Sequence, residues 1–131
     1  MSPHSRKKRI LFVDDEADQL FSVEQVLKHA DKSFEFYGAA SGEKCFSLLK
    51  EGLQPDVILL DIMMPQKDGW EIYDQLRDNP KWTNIPIIFL TARADRIAHE
   101  AGSFLGEDYL EKPVDEETLV TSIEKVLKNH Q

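Results

Sequence analysis

The chain alternates between short aliphatic runs and stretches with helical spacing of apolar residues, and this alternation occurs five times. Consecutive aliphatic residues are typical of strands that are buried on both faces of a parallel sheet. Apolar residues three or four positions apart are typical of amphipathic helices. Strict alternation of the two patterns predicts an α/β fold, because right-handed crossovers place helices on both faces of a parallel sheet.

The pattern predicts five strands and five helices within one domain. Strands are predicted at 10–13, 34–40, 56–62, 85–90 and 107–110. Helices are predicted at 15–30, after an N-cap at Ser41, at 70–79, at 93–105 and after an N-cap at Asp115. No repeat or low-complexity stretch divides them, so residues 1–131 are predicted to form a single domain, with 1–8 as a flexible lead-in.

Charge and cysteine content exclude several classes of protein. Sixteen basic and 24 acidic residues give a net charge of −8, which argues against non-specific binding of nucleic acid, despite the basic cluster at 6–9. The single Cys45 cannot form an intramolecular disulfide, which is typical of a reducing compartment. No apolar run approaches the ~20 residues that span a bilayer, and the run at 10–13 is too short for a signal-peptide core. We therefore expect a cytoplasmic protein.

Polar residues follow four of the five predicted strands. Asp14 and Asp15 come directly after the first, Asp61 stands at the end of the third, Thr91 comes directly after the fourth and Lys112 comes shortly after the fifth. Each of them has an ordinary explanation, such as a helix cap, a strand end or a surface lysine. However, the carboxyl ends of parallel strands meet at one edge of the sheet, where ligands bind in such folds. The sequence therefore predicts that three carboxylates, a hydroxyl and an ammonium converge there.

This combination of groups predicts phosphoryl-transfer chemistry. Three carboxylates in a partly buried site repel one another, and a hard divalent cation with oxygen ligands relieves the repulsion. Mg²⁺ is the expected cofactor, with Mn²⁺ as the alternative. A lysine and a threonine opposite the metal suit phosphoryl oxygens, which leaves one carboxylate to attack phosphorus. An aspartate nucleophile would form an acyl phosphate.

Four ordered segments resemble the motifs of a known family. They are Ile-Leu-Phe-Val-Asp-Asp-Glu at 10–16, Leu-Leu-Asp-Ile-Met-Met-Pro at 59–65 with Asp-Gly at 68–69, Leu-Thr-Ala at 90–92, and Asp-Tyr-Leu-Glu-Lys-Pro at 108–113. Together they resemble the receiver domain of two-component response regulators, of the single-domain kind found in chemotaxis, over residues 9–128. The resemblance implies a flavodoxin-like, doubly wound (βα)5 fold with a five-stranded parallel sheet in the order 2-1-3-4-5.

The resemblance also implies the roles of the metal and the phosphoacceptor. Asp61 would accept a phosphoryl group from a phosphohistidine on a sensor histidine kinase or phosphotransfer protein. Asp15, Asp61 and the backbone carbonyl of Met63 would ligate Mg²⁺ directly, and Asp14 would reach it through water. Lys112 would pair with one phosphoryl oxygen.

The remaining implied roles concern the response to phosphorylation. The Thr91 hydroxyl would bind another phosphoryl oxygen, and Tyr109 would turn inward as Thr91 moves. Ala92 would leave room for the phosphoryl group, and Pro113 would follow a cis peptide bond that fixes Lys112. Met63 and Arg93 stand where the family tunes its rate of dephosphorylation, and we expect an apolar Met63 beside a cationic Arg93 to shield the acyl phosphate from water. The face formed by the fourth helix, fifth strand and fifth helix would then engage an output partner. The protein would be a monomer or a weak dimer whose formation is linked to phosphorylation.

Three alternatives remain open. A metal-dependent phosphatase with an aspartyl nucleophile usually has an Asp-x-Asp loop, whereas Asp14 and Asp15 are adjacent. A flavodoxin-like electron carrier needs a first loop rich in hydroxyls and glycine, and an acidic loop would repel a flavin phosphate. A degenerate receiver would act as a phosphorylation-independent interaction module. If the chain is a receiver domain, we expect that it is not an enzyme with turnover, but a phosphoacceptor domain that catalyses its own phosphorylation and dephosphorylation.

Overall fold

The computed structural model of the chain describes residues 7–30, 33–62, 69–91, 108–112 and 114–129. The strands in this part are β1 (Lys8–Val13), β2 (Phe34–Ala39), β3 (Val57–Leu60), β4 (Ile87–Thr91) and β5 (Asp108–Glu111). The helices are α1 (Ala17–Ala30), α2 (Gly42–Lys50), α3 (Gly69–Asp78) and α4 (Glu116–Asn129). The helix predicted at 93–105 lies outside the described residues, so α4 is the last of the five predicted helices.

The five strands form one parallel sheet in the order β2-β1-β3-β4-β5, as the sequence predicted. The chain first steps outward from β1 to β2 and then returns across β1 to β3. The direction of winding therefore reverses between β1 and β3. In a sheet of this type the crevice at the carboxyl ends of those two strands is the expected place for a ligand.

The central strands are buried on both faces, which explains their uninterrupted apolar runs. On one face, Leu11, Val13 and Leu60 pack with α2 and α3. On the other, Ile10, Phe12 and Leu59 pack with α1 and α4. Successive residues of a strand point to opposite faces, so each run supplies both halves of the core. The core thereby holds the carboxyl ends of β1 and β3 in fixed positions.

Most element boundaries agree with the sequence within two residues, and the two predicted N-caps are confirmed. The Ser41 hydroxyl accepts a hydrogen bond from the Lys44 backbone N–H at 3.0 Å. The Asp115 carboxylate accepts one from the Thr118 N–H at 2.7 Å. A hydrogen bond from the Thr118 side chain, and after it this backbone bond, lowers the pKa of the Asp115 carboxyl. The two bonds from backbone N–H groups satisfy amide groups that have no partner within the first turn of a helix.

Several predicted boundaries differ from the structure by one or two residues, and local hydrogen bonds explain two of these differences. α1 begins at Ala17 rather than 15, and β3 ends at Leu60 rather than 62. β3 begins at Val57 rather than 56, because the Asp56 side chain accepts a hydrogen bond from the Arg9 N–H at 2.8 Å. β4 begins at Ile87 rather than 85, because the Ile85 N–H donates to the Trp82 carbonyl within a turn. β1 begins two residues earlier than predicted, at Lys8. None of the described helices has the length and apolarity needed to cross a bilayer.

Candidate functional site

Two carboxylates stand at the point where the winding of the sheet reverses. Asp14 directly follows β1, and its N–H donates to the Ala39 carbonyl at 3.0 Å. Asp61 directly follows β3, and its N–H donates to the Val13 carbonyl at 3.0 Å. Asp14 is fully buried and Asp61 is 3% exposed. Because a buried carboxylate is costly without a partner, these positions require a cation or hydrogen-bond donors.

Lys112, which follows β5, supplies that cation. Its Nζ lies 2.5 Å from Oδ2 of Asp14 and 3.2 Å from Oδ2 of Asp61. β5 is separated from β3 by β4, so the lysine side chain reaches across the end of β4 to its partners. The side chain is only 14% exposed, and ion pairs that are shielded from solvent in this way are screened little by salt.

The charge state of Lys112 follows from its partners. Burial by itself lowers the pKa of an amine, but the hydrogen bond from Lys112 to Asp14 and the negative charges of Asp61 and Asp14 outweigh it. The pKa of Lys112 is therefore raised above its ordinary value, and the group is an ammonium at neutral pH.

A second acidic group lies on the β1–α1 connection. Carboxylate oxygens of Asp14, Asp15 and Glu16 all lie within 4.8 Å of one another, with Asp15 and Glu16 closer to solvent than Asp14. The Glu16 N–H donates to Oδ1 of Asp14 at 2.9 Å. Four carboxylates (Asp14, Asp15, Glu16 and Asp61) thus stand near one ammonium. An excess of negative oxygen ligands is what a hard divalent cation such as Mg²⁺ or Mn²⁺ prefers, so the residues present fit such an ion.

Glu16 is not among the site residues predicted from the sequence, although the structure places it in the acidic group. The signal in the sequence is the run of three acidic residues directly after β1, of which Glu16 is the third. Asp61 is not a member of that group, and Lys112 is what connects it to Asp14.

Tyr109 lies within an aromatic cluster beside the site. It is partly buried on β5, and its ring stacks on that of Phe89 with centroids 6.0 Å apart. The Phe89 ring is also 5.2 Å from Trp70 and 5.7 Å from Tyr73. Thr91 ends β4 and pairs in register with Glu111, but its side chain is not described.

The remaining predicted site residues fall outside the described part of the chain. These are Met63, Ala92, Arg93 and Pro113. They were included because of the resemblance to the receiver family, and their roles stay predictions.

Gly69 was predicted to belong to the loop after Asp61, and this is wrong because it is the first residue of α3. Its N–H donates to the Ile62 carbonyl at 2.9 Å. A Cβ atom at this position would lie 2.6 Å from Ile62 Cα and 2.7 Å from the Asp61 carbonyl oxygen. Only glycine lets α3 begin this close to the backbone that carries Asp61.

Comparison with known proteins assigns the chain to a family and agrees with the fold. The chain belongs to the response regulator receiver domain family, whose model matches residues 10–124. It is 36% identical over 121 residues to the protein PilH of Pseudomonas aeruginosa, across 91% of this chain and 97% of PilH. It is 35% identical over 126 residues to a probable transcriptional regulator ycf27 of Porphyridium aerugineum, across 94% of this chain and 49% of that protein.

A solved structure of another family member has the same architecture. The response regulator TrrA of Thermotoga maritima, described as a complex with Mg(2+)-BeF, has a TM-score of 0.78 and 28% identity, across 91% of this chain and 98% of TrrA. The predicted family and the flavodoxin-like fold are thus confirmed, and the chain is a receiver domain of two-component signalling. It spans half the length or less of three curated relatives that it matches.

Proposed function

We propose that the chain is a phosphoacceptor switch in which Asp61 receives a phosphoryl group from a phosphohistidine. The donor would be a sensor histidine kinase or a phosphotransfer protein of a cytoplasmic two-component relay. The observation that carries the proposal is the ammonium of Lys112, which contacts the buried carboxylates of both Asp61 and Asp14 at the carboxyl edge of the sheet. Membership of the receiver family supports it.

The transfer needs little covalent chemistry from the protein. An oxygen of the Asp61 carboxylate would attack phosphorus in line with the imidazole nitrogen of the donor. The P–O bond forms as the P–N bond breaks, and the electron pair of the broken bond stays on the leaving nitrogen. A carboxylate nucleophile carries no proton to be removed, so no general base is required, and the ammonium of Lys112 would then bind an oxygen of the transferred group.

The carboxylates of Asp14, Asp15 and Asp61, with the backbone carbonyl of Met63, would hold Mg²⁺. When bound, the ion supplies neutralisation of the negative charge on the phosphoryl oxygens. The support for this set is the excess of carboxylates over ammonium groups around Asp14. A further likeness is that the related TrrA structure is described as a complex with Mg(2+)-BeF.

Phosphorylation would act by shifting a two-state equilibrium. The Thr91 hydroxyl would bind a phosphoryl oxygen, and Tyr109 would occupy the space that Thr91 leaves. The face formed by the predicted helix at 93–105, β5 and α4 would then engage an output partner. The free energy by which phosphorylation shifts the equilibrium equals the difference between the interactions of the phosphoryl group in the two states. Ala92 would leave room, Arg93 would shield the acyl phosphate, and Pro113 would orient Lys112.

Labelling with a small phosphodonor tests the proposal. Incubation with acetyl phosphate and Mg²⁺ should add one phosphoryl group to the wild-type chain, measured by intact-protein mass spectrometry. Asp61→Asn should take up none, whereas Asp18→Asn, an exposed aspartate of α1, should be labelled as the wild type is. Labelling of Asp61→Asn at an unchanged level contradicts the proposal, and rapid turnover with release of inorganic phosphate favours the phosphatase instead.

Metal binding is tested separately, by unfolding in urea. An ion that binds only the folded state, and whose concentration is ten times its dissociation constant, raises the free energy of unfolding by ~1.4 kcal/mol. Mg²⁺ should have this effect on the wild type and on Glu124→Gln, a control on the exposed side of α4. Asp15→Asn should lose most of it. Equal stabilisation of all three proteins would contradict the assignment of Asp15.

A further inference from the structure

A solvent-open groove of about 860 Å³ runs between α2 and α3, on the face of the sheet that faces away from α1 and α4. One wall is a face of α2 from Glu43 to Glu51, and the other is the last turn of α3 with the following segment as far as Trp82. Of the described residues that line it, none belongs to the acidic site around Asp61. The proposed phosphoacceptor function leaves this surface unused.

The floor of the groove is aromatic. Phe46 and Trp82 contact each other with ring centroids 5.6 Å apart and planes inclined by 32°. Trp82 is only partly buried, and it also borders a second depression of about 570 Å³ that contains Leu53 and Ile85. A partly exposed tryptophan between two depressions is typical of the residues that dominate binding energy in protein interfaces.

The rim of the groove is acidic. Among the described residues that line the groove, three carry a carboxylate (Glu43, Glu51 and Asp78) and one is a cation, Lys50. Within the described part of the chain, none of these three carboxylates has a cationic partner, although Glu51 accepts a hydrogen bond from the Ser47 hydroxyl at 2.9 Å. Lysine and arginine are attracted to such a surface in two ways. The carboxylates attract them by opposite charge, and the face of the partly exposed indole attracts them by a cation–π interaction.

We propose that this groove binds a basic segment of a partner protein, which packs an apolar side chain against Trp82 and places lysine or arginine beside the three carboxylates. The wall of α2 from Glu43 to Glu51 is about 12 Å long at the helical rise per residue. That length accommodates two helical turns or about four extended residues. A small cation would leave the aromatic floor in water. A second copy that used the same groove would bring like charges together.

The probe for the test is a synthetic peptide of ~12 residues in which Arg-Lys pairs alternate with Leu-Leu pairs, long enough to fill the groove. Its counterpart carries glutamate at every basic position. Affinity is measured by fluorescence anisotropy at fixed ionic strength, and the contact surface is mapped by amide chemical shifts. The basic peptide should shift amides of α2 and of the segment around Trp82, and the acidic peptide should not bind.

A matched pair of triple variants separates the groove from general attraction to an acidic protein. The groove variant is Glu43→Gln, Glu51→Gln and Asp78→Asn. The control is Asp18→Asn, Glu117→Gln and Glu124→Gln. It changes the net charge of the chain by the same amount as the groove variant does, but on α1 and α4. The groove variant should weaken binding at least tenfold and the control less than twofold. Equal weakening of the two, or shifts located elsewhere, overturns the proposal.

Two further measurements keep the outcome distinct from loss of folding and from self-association. Trp82→Phe retains a ring on Phe46 and should lower the affinity severalfold with an unchanged circular dichroism spectrum. Sedimentation of the chain alone should give a monomer, and self-association that the groove variant abolishes would assign the groove to a second copy and overturn the proposal. Asp61→Asn should bind the peptide with the same affinity as the wild type. A failure of the groove proposal is therefore distinguishable from a failure of the proposed phosphoacceptor function.

Discussion

The ring of Tyr109 on β5 stacks on the ring of Phe89 on β4, with centroids 6.0 Å apart and planes inclined by 28°. Phe89 in turn contacts Trp70, the second residue of α3. Since α3 begins against the backbone of Asp61 and Ile62, the aromatic cluster links the predicted switch tyrosine to the element beside the predicted phosphoacceptor. Displacement of Tyr109 removes one side of the packing around Phe89 and changes the environment of Trp70.

Trp70 should therefore report phosphorylation by its fluorescence. In a Trp82→Phe background, acetyl phosphate with Mg²⁺ should change the emission of Trp70, because Tyr109 leaves its place beside Phe89. Phe89→Leu removes the ring that connects the two and should reduce the change to less than half. Steady-state emission during phosphorylation measures both.

The reciprocal background provides the control for this experiment. Trp70→Phe leaves Trp82, which contacts Phe46 in the groove between α2 and α3, and its emission should stay nearly constant. Asp61→Asn should abolish the change in either background. An undiminished signal in Phe89→Leu would mean that Trp70 senses the phosphoryl group directly rather than through Tyr109.

Lys112→Met should destabilise the folded chain at neutral pH. It leaves the carboxylates of Asp14 and Asp61 buried and without their cation, and removal of one partner of a buried ion pair costs about 3–5 kcal/mol. Urea unfolding measures the loss. Addition of Asp61→Asn to Lys112→Met should recover part of it, because one of the two facing charges disappears. A further loss in the double variant would contradict this account.

The same ion pair predicts a pH dependence at the alkaline end. The pKa of Lys112 is raised in the folded state, so its contribution to stability is complete below the pKa of an unfolded lysine, about 10.4, and is lost as pH rises through the raised value. The free energy of unfolding of the wild type should approach that of Lys112→Met above this range. Tyr37, whose pKa is raised by its hydrogen bond to Glu35, titrates in both proteins and cancels in the difference. A constant difference through pH 11 would argue against the raised pKa.

Gly69→Ala should destabilise the fold more than Gly38→Ala does. The added Cβ at Gly69 meets backbone atoms of Ile62 and Asp61 at 2.6 and 2.7 Å, whereas at Gly38 it meets the ends of the Phe36 and Leu20 side chains at 3.2 Å and beyond. Backbone yields less readily than side-chain ends, so Gly69→Ala should cost about 1–3 kcal/mol or more. The initial rate of phosphorylation by acetyl phosphate should also fall, because Asp61 shifts. Equal stabilities for the two variants would show that the start of α3 moves freely.

The apolar runs gave the fold because their pattern reports two-sided burial directly. Runs such as that at 10–13 are typical of strands whose two faces are both covered by helices, and the acidic and basic residues after such strands meet at one edge of the sheet. Boundaries such as those of β3 and α3 were less predictable. They depend on single contacts, namely the Asp56 carboxylate with the Arg9 N–H and the close approach of Gly69 to Asp61.

The sequence by itself determined the family, the sheet and the set of groups at its carboxyl edge, because local periodicity and short ordered motifs carry that information. Only the tertiary structure decided that Lys112 contacts Asp14 and Asp61 together, across separations of 98 and 51 residues. It alone also brought Phe46 and Trp82 together as the floor of an acidic groove. Such contacts depend on the order and spacing of strands and helices in three dimensions, which no local pattern encodes.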